Sequence, residues 1–272
     1  MALQREHKQG FDDMNKEEAA SRLLVGHWDA GTLVDGLPRE LAPTTRAEGY
    51  AIQAHVMARS ARPLFGWKIA ATSVAGQQHI NVEGPIAGRI LAEKVVADGG
   101  TAPIAHSQMK FAEIEFGFRF ARDLPPRAAP YTVEEVLDAV ASFHPSIEIP
   151  DSRYSDYCAV GAAQLIADNA CGDQFVLGPA TDADWRAIDL AALEVEAEVV
   201  GRSQHKGVGA NVLGDPRVAL AWLVNELSGI GVTLHAGEVV TTGTCVVPIP
   251  VEAGDEVRAR FSPLGGVSVR FA

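Results

Sequence analysis

Residues 111–120 read Phe-Ala-Glu-Ile-Glu-Phe-Gly-Phe-Arg-Phe. Taken as a strand, Ile114, Phe116, Phe118 and Phe120 share one face, and Glu113 and Glu115 share the other. Residues two apart on a strand stand roughly 7 Å from one another, so both carboxylates reach toward one point. A hard cation such as Mg²⁺ or Mn²⁺ prefers that kind of all-oxygen donor set. A half-buried strand with a solvated acidic face accounts for the same pattern. Glu194, Glu196 and Glu198 repeat the alternation, so pattern alone does not say which set is a site.

Outward from this strand, short β-like runs separated by Gly or Pro continue on both sides. They are FGWKIAAT (65–72), KVVAD, SIEIP (146–150), QFVLG, LEVEAEVVG (193–201), EVVTTG, DEVRARF and VSVRF. Such spacing predicts a β-rich core, not repeated βαβ units. Two helices interrupt it: TVEEVLDAV, with Thr132 and Glu135 at capping-box spacing, and DPRVALAWLVNEL, with Pro216 in its first turn. The first 60 residues read as helical, with Asn15/Glu18 and Thr45/Glu48 at N-cap spacing. The expected organisation is a helical N-terminal region over 1–63 and a β-rich catalytic domain over 64–272, an α+β chain.

Composition narrows the function. The 272 residues carry 35 acidic and 23 basic side chains, a net charge of −12. That balance disfavours nucleic acid and anionic membrane surfaces as partners. Residues 1–18 are polar, with no apolar stretch of the secretory type, and no run approaches the length of a membrane span. Cys158, Cys171 and Cys245 are scattered, which fits a reducing cytoplasm and excludes a CxxC motif.

Other candidates lie beyond the opening strand. Glu148, between Ile147 and Ile149, offers a third carboxylate, and three would roughly neutralise a divalent ion. The following Asp151-Ser152-Arg153 reads as a turn closed by an Asp151–Arg153 ion pair. Lys68, between Trp67 and Ile69, is a snorkelling surface lysine, a carboxylate clamp or an acid/base group. Thr242-Gly243-Thr244 reads as a turn whose N–H groups and hydroxyls suit a carboxylate. Residues 207–216, GVGANVLGDP, lack both GxGxxG and GK[ST], which argues against a nucleotide site. His79 and His106 fall in polar loops, and His144 reads as a packed or surface residue, not a ligand.

Several segments together resemble the 2-keto-4-pentenoate hydratases and 4-oxalocrotonate decarboxylases of the fumarylacetoacetate-hydrolase-like superfamily. They are GWKIAATS, GPIAGRI, EIEFGFRFARDLP, SIEIPDSRY, IADNA, FVLG and residues 209–244, in the family's order. The resemblance implies a rolled mixed β-sheet core with an N-terminal helical cap, in a homo-oligomer. It implies Mg²⁺ or Mn²⁺ held by Glu113, Glu115 and Glu148, Lys68 as the active-site lysine, and Asn169 and Thr244 lining the substrate pocket. The implied activity is a hydro-lyase adding water to 2-hydroxy-2,4-dienoate or 2-oxo-enoate acids during aromatic-compound degradation. The alternatives are a 2-oxo acid decarboxylase, tautomerase or C–C hydrolase on the same metal site, or a non-catalytic 2-oxo-acid-binding subunit beside a partner decarboxylase or hydratase. One departure stands out: Ile86 occupies the position of a family acid thought to move protons, which leaves Glu83, three residues earlier, as the nearby substitute.

Overall fold

The structure, a computed structural model, describes residues 15–272. The polar segment read at the extreme N-terminus lies almost wholly outside the described residues. Helices α1 (Lys16–Ala30) and α2 (Arg46–Ala54) start where the caps place them. The Asn15 and Thr45 side chains accept from the N–H groups of Glu18 and Glu48. Then follow β1 (Gly66–Ala70), α3 (Val74–His79), β2 (Ile86–Ile90), β3 (Val95–Ala97), β4 (Thr101–Ala102), β5 (Phe111–Phe120), α4 (Val133–Asp138), β6 (Val140–Ile149), α5 (Gly161–Ala167) and β7 (Gln174–Leu177). The chain ends with β8 (Glu194–Val199), β9 (Ser203–Val208), α6 (Pro216–Gly229), β10 (Val239–Thr244), β11 (Ile249–Pro250), β12 (Glu256–Arg260) and β13 (Gly266–Phe271).

Two mixed sheets result, and the α+β reading holds. The larger runs β2-β1-β10-β5-β6-β7-β3, with β11 also on β5, and the smaller runs β4-β13-β12-β8-β9. Most pairs are antiparallel, while β1–β10, β3–β7 and β4–β13 are parallel. Ile114, Phe116, Phe118 and Phe120 are all buried on one face of β5, as their period requires. The ring of Phe143 from β6 packs edge-on against Phe116, Phe118 and Phe261, at centroid distances of 5.9, 5.4 and 6.2 Å. A second apolar cluster joins Ala20 and Leu24 of α1 and Ile52 of α2 to Tyr154 and Ala167, seating the N-terminal helices on the sheets.

Two local differences from the sequence reading have physical causes. The capping box at Thr132 and Glu135 forms, yet α4 stops at Asp138 because Val140 already enters β6. That strand runs through Pro145, where a missing N–H suggests a break. The Pro145 carbonyl still accepts from Gly178 N at 2.8 Å. β2 escaped notice because all five of its residues are buried, which removes the polar alternation that marks a half-exposed strand. No helix among the described residues is long and apolar enough to cross a membrane.

Phe143 joins Phe116 and Phe118 of β5 to Phe261, just past β12, so Phe143→Ala should lower stability by about 3–5 kcal/mol in urea unfolding. A loss under about 1 kcal/mol would show that this aromatic cluster does not hold the layers together.

Candidate active site

The antiparallel register of β5 and β6 sets Glu113 directly opposite Glu148, and Glu115 opposite Ser146. Opposed residues project from the same face, so two strands far apart in sequence bring three carboxylates together. One oxygen from each of Glu113, Glu115 and Glu148 lies within 4.8 Å of the others. Lys68 arrives from β1, on the far side of β10. Its Nζ stands 2.9 Å from Glu148 Oε1 and donates to the Ala170 carbonyl at 2.9 Å. Lys68, Glu115 and Glu148 are only 2%, 0% and 3% exposed, so the half-buried Glu113 marks the open side.

β10 supplies the support for Glu115. Its register against β5 shifts between Thr241 and Thr244, a bulge that turns Gly243 N and Thr241 Oγ1 onto Glu115 Oε2. The Gly243 hydrogen bond is 2.9 Å. Gly243 has φ +93°, and a side chain there would collide with Thr72, so glycine is required. Glu115 Oε1 and Glu148 Oε2 are buried and accept no hydrogen bond among the described residues.

Electrostatics makes the arrangement unstable as it stands. With all four groups ionised the cluster carries −2 in a largely buried site, a costly state without a counter-charge. Burial, with the charge of Glu148, pushes Glu113 up to about 7. Burial and both neighbouring carboxylates push Glu115 well above the usual carboxylate range. Glu148 also rises, because burial outweighs the attraction of Lys68. Burial alone would lower Lys68, but the three carboxylates outweigh it and hold the ammonium above its ordinary value. Orphaned oxygens, an all-oxygen donor set and a charge of −2 together fit a hard divalent cation.

The remaining sequence candidates separate clearly. Glu194 and Glu196 are exposed and Glu198 half-buried on β8, with Glu196 paired to Lys206 at 2.9 Å, so this second acidic set is a surface ladder. Lys68 does not snorkel. Asp151 and Arg153 do not form the expected ion pair. Arg153 is buried and its guanidinium pairs with Asp168, while the Asp151 carboxylate accepts from the N–H groups of Gln108 and Met109. Residues 242–244 belong to a bulged strand, not a free turn, and the carboxylate met there is the protein's own Glu115. His144 is packed, contacting Ser142 Oγ and the Gly178 carbonyl.

Glu83 lies exposed in the turn before β2, outside the carboxylate cluster. Thr244 Oγ1 donates to Val246 O at 2.5 Å and accepts from Ile114 N at 3.2 Å. Asn169 is buried with its amide on the Arg89 backbone. Sequence reasoning missed Thr241, the Ala170 carbonyl and Gly88. A Cβ at Gly88 would overlap the Asn169 carbonyl and sit 3.0 Å from Lys68 Cδ. The glycine opposite Lys68 in GPIAGRI was the available signal.

Two expectations follow from this geometry. The double variant Glu113→Gln/Glu148→Gln should fold yet lose Mn²⁺ binding by titration calorimetry, whereas Gln at 194, 196 and 198 should leave affinity intact. Reversal of those two results would move the site to β8. The second expectation concerns pH. A carboxyl raised from about 4.5 to about 7 in the folded state stabilises it below the lower value and loses that contribution as pH rises through the upper one. Without metal, wild type should therefore lose stability relative to Glu113→Gln between pH 4.5 and 7.5, and added Mn²⁺ should reverse the order. Parallel pH profiles for the two proteins would contradict the shifted carboxyl.

Comparison with known proteins agrees with the geometry. The family profile described as fumarylacetoacetate (FAA) hydrolase C-terminal matches residues 51–272. A 2-keto-4-pentenoate hydratase of Paraburkholderia xenovorans (strain LB400) is 32% identical over 259 residues, 94% of each chain. A 4-oxalocrotonate decarboxylase of Pseudomonas sp. (strain CF600) is 31% identical over 230 residues, 84% of this chain and 86% of that one. The solved 4-oxalocrotonate decarboxylase from Pseudomonas putida G7, complexed with magnesium and adipate, superposes with a TM-score of 0.84 at 27% identity, covering 94% of this chain and 97% of that one. With its rolled mixed sheets and its carboxylate triad between β5 and β6, the chain belongs to the fumarylacetoacetate hydrolase C-terminal family.

Proposed function

We propose that this chain is a divalent-metal-dependent hydro-lyase that adds water to 2-hydroxy-2,4-dienoate acids, by way of their 2-oxo-enoate tautomers, in the breakdown of aromatic compounds. The observation that carries this reading is the in-register opposition of Glu113 and Glu148, with Glu115 and Lys68 closing the cluster. Glu113, Glu115 and Glu148 would hold Mg²⁺ or Mn²⁺. When bound, such an ion supplies Lewis acidity to the carboxylate and 2-oxygen of a 2-oxo acid and stabilises negative charge growing there.

The protein's own groups have definable tasks. A lysine ammonium has three N–H donors, and here one is directed to Ala170 O and one faces Glu148. The third remains for the substrate's carboxylate, and it orients the acid head against the glutamates. The 2-hydroxyl proton leaves and a proton enters at C5, giving the conjugated ketone. Water then adds at C4, and C3 takes a proton. Ile86 has no proton to exchange and Glu83 stands exposed outside the cluster, so proton traffic at C3 and C5 falls to water.

A second reading, decarboxylation of a 2-oxo acid whose tail places a carboxylate β to an electron sink, is favoured by Ile86, because that reaction needs no activated water. It also draws support from the likeness to the two decarboxylases. Product analysis separates the two. With Mg²⁺ and 2-hydroxypenta-2,4-dienoate, the hydro-lyase reading expects a 4-hydroxy-2-oxo acid with incorporation of one ¹⁸O from labelled water at C4. CO₂ release from 4-oxalocrotonate without hydration of the dienoate would replace it with the second reading.

A further inference from the structure

Asn169, Ala170 and Cys171 form three successive left-handed residues, with φ of 56°, 52° and 59°. None is glycine, and L-residues disfavour this region, so the surrounding structure must impose it. The segment leaves α5 and returns into β7 beside the carboxylate cluster. At its centre the Ala170 carbonyl accepts from Lys68 Nζ at 2.9 Å.

The hold on this turn is specific. Asn169 Oδ1 accepts from Arg89 N at 2.7 Å, and Asn169 Nδ2 donates to Arg89 O at 2.8 Å. One carboxamide thus completes both backbone groups of a β2 residue, as a neighbouring strand would. Gly88, the residue facing Lys68 across β1 and β2, leaves the space in which the Asn169 carbonyl and the lysine stem lie side by side. Beyond the turn, Asp151 N donates to the Cys171 carbonyl at 2.9 Å.

We infer that Asn169 is a positioning residue for Lys68: by clamping the backbone of Arg89 it holds the left-handed turn whose Ala170 carbonyl fixes the lysine ammonium against Glu148. It acts through Ala170, and its amide is turned to β2. The role rests on the hydro-lyase reading for what Lys68 does to substrate, while the contact itself is independent of that reading.

The test compares Asn169→Ala and Asn169→Asp with wild type at saturating Mn²⁺, by steady-state kinetics and crystallography. A group displaced by an ångström costs on the order of 100-fold, so kcat for Asn169→Ala should fall about 10–100-fold. KM should rise as well, because the ammonium that grips the substrate's carboxylate is displaced with the turn. Asn169→Asp keeps the acceptor for Arg89 N–H and loses the donor, so it should lie between the two. It also carries the test if the alanine variant does not fold. A raised KM with kcat retained and the Ala170 O–Lys68 Nζ contact unchanged in the variant would make Asn169 a substrate contact and overturn the inference. A lowered melting temperature with kcat unchanged would make it merely structural and overturn it equally. Should wild type fail to hydrate the dienoate, only the hydro-lyase reading falls. The crystal structure of the variant then decides, since an Ala170 O–Lys68 Nζ contact that persists at 2.9 Å would refute the positioning role.

Discussion

Glu148 is pulled in two directions, and the site is organised around that tension. Its carboxylate is almost fully enclosed, faces Glu113 across two strands, and has one cation, Lys68, at 2.9 Å. A buried ion pair alone gains little, because the desolvation of both partners offsets their attraction. Two further carboxylates beside the pair make matters worse unless another positive charge arrives. The same contacts that destabilise the bare cluster therefore select for a small, doubly charged cation. The fold supplies the rigidity that keeps the carboxylates from moving apart.

That rigidity comes from backbone more than from side chains. The long β5–β6 ladder sets the spacing of Glu113 and Glu148, and the β10 bulge presents Gly243 N and Thr241 Oγ1 to one oxygen of Glu115. With Oε2 fixed in this way, Oε1 is left free and aimed by default. On the other flank, a left-handed turn offers a carbonyl to Lys68. Two kinds of irregular backbone thus meet the regular β5–β6 ladder at one place, in a molecule whose outer sheet face is an ordinary ladder of exposed charge such as Glu196 with Lys206. Strained and bulged segments concentrate where chemistry needs groups held against their local preference.

Much of this was legible in the sequence, for identifiable reasons. The period of two in residues 111–120 put the phenylalanines and the glutamates on opposite faces, and burial of all four apolar residues follows. Capping residues located α1, α2, α4 and α6 because those signals are local. What could not be read was pairing. Nothing local in either segment says that Glu113 lies opposite Glu148 and not two residues away. Nor does it say that Glu194–Glu198 faces water while an identical alternation on β5 faces a closed site. The partner of Arg153 was misjudged for the same reason: Asp151 is nearer in sequence, but Asp168 is nearer in space. Thr241 was hidden because a bulge is a property of two strands together.

The central claim is that one divalent ion joins glutamates from two strands and grips the head of an α-keto acid. The most direct measurement is a crystal soaked with Mn²⁺ and oxalate, recorded at the manganese edge. The account predicts one anomalous peak about 2.0–2.2 Å from oxygens of Glu113, Glu115 and Glu148, with oxalate chelating the same ion. A peak on the β8 glutamates, or none at the triad while Lys68 keeps its place on Glu148, would contradict it.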